Sequence, residues 1–294
     1  MTAQLLDGNA VSAAIRAEVA DEAAQLKATH GIVPGLATVL VGEDPASMTY
    51  VEMKQEQCRK AGMSAFERVL PEDVTQEGLE AAIAELNADP NVHGILVQLP
   101  LPDHLDEDRT LAAIALDKDV DGFHPTNVAK LALQDVEPAF APCMPLGGIE
   151  LLDRYGVEIH GKHAVVLGPS NIVGLPLALL LMNRGATLTV CHAHTADLPL
   201  LVRLGDIVVA AIDEPRMVKA DWVKPGAAVI DVGWSRVKDE TAKKGFRVVG
   251  NVDFDAVQEV AGYITPVPGG TGPMTIAMLL KNTLLSAKRH AGIE

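Results

Sequence analysis

The sequence predicts an α/β protein of two domains. Helix-period and strand-like segments alternate through most of it, the pattern of parallel strands beneath crossover helices. Its 294 residues are about twice the ~150 expected of one domain. Hydrophobic residues make up 48% and charged residues 21%, enough apolar side chain for sizeable cores.

The first run opens with an amphipathic helix over 11–27, a buried strand over 36–41 and a helix over 45–60. A strand over 65–70, a helix over 76–88 and the apolar strand 94–99 follow, and Pro100 and Pro102 stop that last strand. Residues 138–145 hold three prolines, so they are expected to be extended and to mark a boundary. The second run has strands at 164–167, 187–191, 206–211 and 227–232, with a helix over 174–183. It reads as a nucleotide-binding α/β domain. Residues 266–273 form a second stiff crossing before an apolar helix over 274–288, which is expected to pack back on the first domain. The domains are therefore expected at 1–141 plus 274–294, and at 142–273.

Lys plus Arg is 24 against 39 Asp plus Glu, a net charge of −15. Such a surface repels nucleic acid and anionic membrane, so neither is expected as a partner and an anionic ligand needs a local basic pocket. Cys58, Cys143 and Cys191 are too few for a disulfide framework or a four-thiolate zinc site, which fits a reducing cytoplasm. The start of the chain lacks the basic and apolar regions of a secretory signal. Its longest apolar run, about 172–182, is interrupted by Gly174 and Pro176 and falls short of the ~20 residues of a spanning helix.

Gly168-Pro169-Ser170-Asn171-Ile172-Val173-Gly174 follows a strand and opens a helix, where small residues let a diphosphate approach unpaired N–H groups. The spacing is G-x-S-x-x-x-G instead of G-x-G-x-x-G, so a tight strand-to-helix turn remains the alternative. The next strand ends in Cys191-His192-Ala193-His194, without the carboxylate that usually holds an NAD ribose. A metal at these residues is set aside for want of further ligands. Asp117-Lys118-Asp119-Val120-Asp121-Gly122 matches half of a calcium loop, but Val128 stands where a bidentate Glu is needed, so no metal is expected. Tyr50 and Lys54 share a helix face, either as a surface pair or as a phenol beside an amine of lowered pKa. Gln98 is a satisfied core amide or a site residue at the carboxyl edge of a parallel sheet.

Tyr50-x-x-x-Lys54, Val97-Gln98-Leu99-Pro100-Leu101-Pro102, Lys118-Asp119-Val120-Asp121-Gly122, Pro142-Cys143-x-Pro145, the 168–174 turn and Pro266-Val267-Pro268-Gly269-Gly270-x-Gly272-Pro273-Met274-Thr275 occur in this order. Together they make the chain resemble, along nearly its whole length, the bifunctional methylenetetrahydrofolate dehydrogenase/methenyltetrahydrofolate cyclohydrolase family. The resemblance implies an N-terminal α/β catalytic domain, a Rossmann-like dinucleotide-binding domain, a cleft between them and usually a homodimer. It implies oxidation of 5,10-methylenetetrahydrofolate with NADP, then hydrolysis to 10-formyltetrahydrofolate, in one-carbon metabolism and purine biosynthesis. Two alternatives are a cyclohydrolase with a weakened dehydrogenase, and a folate-binding homologue without turnover.

Carried over by resemblance, Lys54 is the catalytic lysine, Tyr50 the aromatic that orients the folate, Gln98 the amide that positions the lysine and Asp121 the pterin anchor. Ser47, Val51, Pro266, Gly269 and Gly270 line the folate site. Gly168, Ser170, Asn171, Ile172, Val173, Gly174, His192, His194 and Thr195 hold the cofactor. The family's basic residues for a 2′-phosphate are replaced by Pro169, Leu175, Ala193 and His194, which makes NAD a rival to NADP. The family's usual Gly-x-Pro after the strand equivalent to 206–211 reads Asp213-Glu214-Pro215, and Trp234 and Asn251 also depart from the pattern.

Overall fold

The computed structural model describes residues 2–133, 136–239, 241 and 245–293. The chain runs β1 (Gln4–Leu5), α1 (Gly8–His30), β2 (Gly35–Val41), α2 (Pro45–Lys60), β3 (Ser64–Leu70), α3 (Gln76–Ala88) and β4 (Gly94–Val97). Short helices α4 (Glu107–Ala112) and α5 (Pro125–Leu131) precede α6 (Cys143–Arg154). Next come β5 (His163–Leu167), α7 (Gly174–Asn183), β6 (Thr187–Cys191), α8 (Leu198–Val202), β7 (Ile207–Ala210) and β8 (Ala228–Asp231). The antiparallel pair β9 (Ser235–Lys238) and β10 (Phe246–Val249), then α9 (Phe254–Val257), β11 (Tyr263–Ile264) and α10 (Thr271–His290), complete the chain.

The chain divides into two compact units, Ala13–Cys143 with Ile276–Glu294, and Met1–Ser12 with Met144–Thr275. The first twelve residues thus group with the later segment, not with 13–141 as expected. The reason is local: β1 pairs in parallel with β11, and Leu6, fully buried, packs among Ile149, Leu152, Leu177 and Ile230. A two-residue strand has no period for a sequence reading to detect.

In the Ala13–Cys143 unit a three-stranded parallel sheet has the order β3-β2-β4. Every residue of the central strand β2 is buried. Ala37, Val39, Ile95 and Val97 pack on Leu79, Ile83 and Leu86 of α3, each fully buried large side chain contributing ~1.5–3 kcal/mol. Asp44 caps α2, its Oδ1 accepting from Ser47 N at 2.8 Å, and Pro45 occupies the first turn, where a missing N–H costs nothing. The helix buries Ser47, Val51, Gln55 and Cys58, a spacing of one face. Gln55 Nε2 donates to Thr38 Oγ1 and Phe66 O, both at 2.6 Å, and so fixes the rotation of α2 on the sheet.

In the other unit a wholly parallel six-stranded sheet has the order β1-β11-β8-β7-β5-β6. The chain leaves β5 for β6 on one side and then crosses to β7 on the other, which makes the carboxyl end of β5 the switch point where such sheets bind ligands. The expected extended stretch ends sooner than its prolines suggest. Helix α6 already begins at Cys143, and Pro145 lies in its first turn, where N–H groups have no intrahelical acceptor. By the same rule α10 begins at Thr271, ahead of Pro273.

Candidate active site

Lys54 lies in α2, one turn after Tyr50, and its Nζ donates to Gln98 Oε1 at 3.0 Å. Gln98 follows directly on β4, where its backbone N–H still bonds Val39 O at 2.9 Å. Its Nε2 donates to Leu99 O at 2.6 Å, which turns the amide oxygen toward the amine. Burial pushes the Lys54 pKa down, and the negative charge of Asp121 opposes it. Burial pushes Asp121 up, against the pull of Lys54 and a hydrogen bond with Cys143. The Cys143 thiol is raised well above its ordinary value by burial and then by Asp121, so it is a neutral donor; its Sγ lies 3.3 Å from Val120 O. Burial thus disfavours both the Lys54 ammonium and the Asp121 carboxylate, while the attraction between the two favours their charged forms.

Tyr50 is 47% exposed, leaving its ring face free to stack on a ligand. Ser47 and Val51 are buried beneath it in the same helix.

The half-matched calcium loop divides into three separate tasks. Lys118 Nζ donates to Leu86 O, Asn87 O and Asp89 O and so caps the end of α3. Asp119 accepts from Phe123 N, His124 N and Asn127 Nδ2. Asp121 faces Lys54. Gly122 turns the chain with φ +79°, and a Cβ there would lie 2.4 Å from Ala141 C. Among the described residues no group of three metal-ligating side chains is assembled.

In the second unit the 168–174 turn sits at the switch point. Gly168 has φ +90° and its Cβ would lie 2.0 Å from Ala211 O; a Cβ on Gly174 would lie 1.6 Å from Gly168 O. Only glycine permits so tight a turn. Ser170 Oγ accepts from Val173 N and Gly174 N at 3.3 Å, and Asn171 and Ile172 stand exposed. After β6, His192 N donates to Thr195 Oγ1 at 2.9 Å and His194 N to His192 Nδ1 at 3.2 Å, a compact exposed turn. These glycines, the hydroxyl and the start of α7 fit a dinucleotide diphosphate. Asp213 and Glu214 are exposed after β7.

Asn251, singled out in the sequence only as unusual, is buried and holds that segment: its Oδ1 accepts from Ile212 N at 3.0 Å and its Nδ2 donates to Glu214 O at 3.3 Å. Trp234 is 52% exposed, with the Arg236 guanidinium 5.1 Å from its ring centre. The 266–270 loop is clamped to the start of α1, where Asn9 N donates to Gly269 O at 3.1 Å and a Cβ on Gly8 would lie 1.7 Å from Gly270 O. Pro266, Gly269 and Gly270 thus belong to the unit of the 168–174 turn, whereas Lys54, Gln98 and Asp121 come together in the other.

These features define an α/β enzyme with one unit built to hold a dinucleotide and another that carries a desolvated amine. Comparison with known proteins agrees. The family model for the tetrahydrofolate dehydrogenase/cyclohydrolase catalytic domain matches residues 6–121, and that for the family's NAD(P)-binding domain matches residues 142–291. The chain is 54% identical to bifunctional protein FolD 2 of Arabidopsis thaliana, over 99% of its own length and 97% of the relative's. It is also 54% identical to bifunctional protein FolD of Caulobacter vibrioides, over 99% of each. The solved Trypanosoma brucei methylenetetrahydrofolate dehydrogenase-cyclohydrolase, complexed with NADP and an inhibitor, superposes with a TM-score of 0.93 at 46% identity, covering 99% of each chain. The bifunctional enzyme from Campylobacter jejuni gives 0.91 at 48% identity, covering 97% of this chain and 99% of that one. The chain belongs to the tetrahydrofolate dehydrogenase/cyclohydrolase family.

Proposed function

We propose that the protein oxidises 5,10-methylenetetrahydrofolate to 5,10-methenyltetrahydrofolate with NADP and hydrolyses the product to 10-formyltetrahydrofolate. The observation that carries this reading is the Lys54 amine, depressed by burial and held by Gln98 beside Asp121. The bifunctional relatives, and the NADP complex of one of them, support it.

The unit with Lys54 is the folate-binding catalytic part. Asp121 offers two acceptor oxygens to the N–H and amine edge of the pterin, Tyr50 packs on the ring, and Ser47 and Val51 complete this unit's substrate contacts. Gly168, Ser170, Asn171, Ile172, Val173, Gly174, His192, His194 and Thr195 hold NADP. When bound, NADP supplies the hydride acceptor for the methylene carbon. In the hydrolytic half Lys54, as the free amine, takes a proton from the water that adds to the methenyl carbon. The bond from that carbon to N5 then breaks, the new hydroxyl becomes the formyl oxygen, and its proton passes to N5. Gln98 keeps the amine aimed throughout. On this reading the protein is a cytoplasmic homodimer supplying one-carbon units for purine biosynthesis, and equilibrium sedimentation tests the dimer.

Mixing the purified protein with 5,10-methylenetetrahydrofolate and either NADP or NAD, while following reduced cofactor and methenyl hydrolysis, tests the activity. NADP reduction with hydrolysis is expected. The carboxylates of Asp213 and Glu214 and the missing cation at 169, 175, 193 and 194 favour one second reading, a weakened dehydrogenase; hydrolysis without reduction of either cofactor would select it. Loss of both activities would overturn the proposal.

A further inference from the structure

Asp119 has no place in the chemistry above, yet it is a buried carboxylate two residues from Asp121. Its Oδ1 accepts from Phe123 N at 3.2 Å, and its Oδ2 accepts from His124 N at 2.9 Å and Asn127 Nδ2 at 2.7 Å. Asn127, also fully buried, accepts from Ala139 N at 2.8 Å through its Oδ1. Cys143 N donates to Asp121 O at 3.3 Å. Asn282 Nδ2 donates to Val120 O at 2.9 Å and lies 3.4 Å from Ala141 O. The side chains of Asp119, Asn127 and Asn282 thus bind the 119–124 turn to the 139–143 segment, and these two carry Asp121 and Cys143.

We propose that Asp119 is a positioning residue for Asp121: with Asn127 it fixes the turn that presents the Asp121 carboxylate to the folate. The inference rests on Asp121 being the pterin anchor. The titratable groups around Asp119 are Asp121, Cys143 and His124, with Lys54 beyond Asp121. Burial and the like charge of Asp121 push Asp119 up to about 7, against three donors that pull it down. The repulsion is reciprocal, so charge on Asp119 also makes Asp121 harder to ionise.

The test is Asp119→Asn, assayed for methenyltetrahydrofolate hydrolysis across pH. The amide keeps the shape but turns a donor toward donors. The expected result is a KM about tenfold higher with kcat changed less than threefold. Asn127→Ser keeps a carboxyl group at 119 and removes one of its donors, so its KM is also expected to rise with kcat little changed; it carries the test if Asp119→Asn does not fold. A folded variant of either kind with the wild-type KM, or one whose loss falls on kcat with KM unchanged, overturns the inference. Asp121→Asn is the control: wild-type KM there overturns the anchor itself, whereas raised KM there with unchanged KM in both other variants removes only the role of Asp119.

Discussion

At Lys54 two effects compete, and their balance sets the pH profile. Burial lowers the amine from its ordinary value of 10.5, and Asp121 raises it. Hydrolysis needs the free amine, so its rate is expected to climb with pH as the ammonium loses its proton. Gln98→Glu places a carboxylate where an amide oxygen now sits 3.0 Å from Nζ. That favours the ammonium, so the limb moves to higher pH and the rate at pH 7 falls by about tenfold or more. Gln98→Met removes the acceptor and moves the limb the other way; a stopped-flow pH profile in which both variants shift in one direction refutes the pairing. Lys54→Met is expected to abolish hydrolysis without loss of fold. Because the folded state disfavours the ammonium, the unfolded chain binds more protons below 10.5, and stability rises with pH across that window. Lys54→Met removes that slope, which urea titrations at pH 7 and pH 9 would show. The sequence placed Tyr50 and Lys54 on one helix face, but it did not place Cys143 beside Asp121, because that meeting depends on a hydrogen bond between segments some twenty residues apart.

Among the elements, those that present a continuous apolar face were the most legible. Helices α2 and α3 run over the residues that period and turn chemistry predict, since each buries a face of several side chains, and the four-residue strands β4, β7 and β8 were read because every residue of each is buried. Strands β9 and β10, with Ser235, Val237, Phe246 and Val248 only half-buried, and the four-residue helix α9 lack such a face and went unread. The 168–174 turn was legible as glycine spacing, but its ambiguity between ligand site and simple turn could not be resolved there. In the structure the glycines close the turn against Ala211 O, and its outer side is left to Ser170 and the start of α7, a geometry compatible with either reading. Gly174→Ala drives a methyl into Gly168 O, a clash that only backbone movement relieves, at a cost of about 1–3 kcal/mol. Cofactor reduction is expected to fall at least tenfold while hydrolysis of methenyltetrahydrofolate, which uses Lys54, is retained within twofold. Equal losses in the two assays would show that the turn serves stability alone.

For the whole molecule, chain order and unit membership do not coincide. The first twelve residues precede the rest of the catalytic segment in sequence, yet β1 extends the sheet of the NAD(P)-binding unit and Leu6 is fully buried in that unit's core. Leu6→Ala removes three buried carbons from a site walled by Ile149, Leu152, Leu177 and Ile230, which costs about 2–5 kcal/mol with the cavity included. The loss belongs to the sheet that carries the 168–174 turn, not to the one that carries Gln98. Heating the variant in steps and assaying both activities at 25 °C separates the two. NADP reduction is expected to disappear several degrees below the wild-type temperature, with methenyl hydrolysis lost later. Simultaneous loss would mean that the two units melt as one cooperative body, and a variant as heat-resistant as the parent would mean that the amino-terminal strand contributes nothing to its sheet.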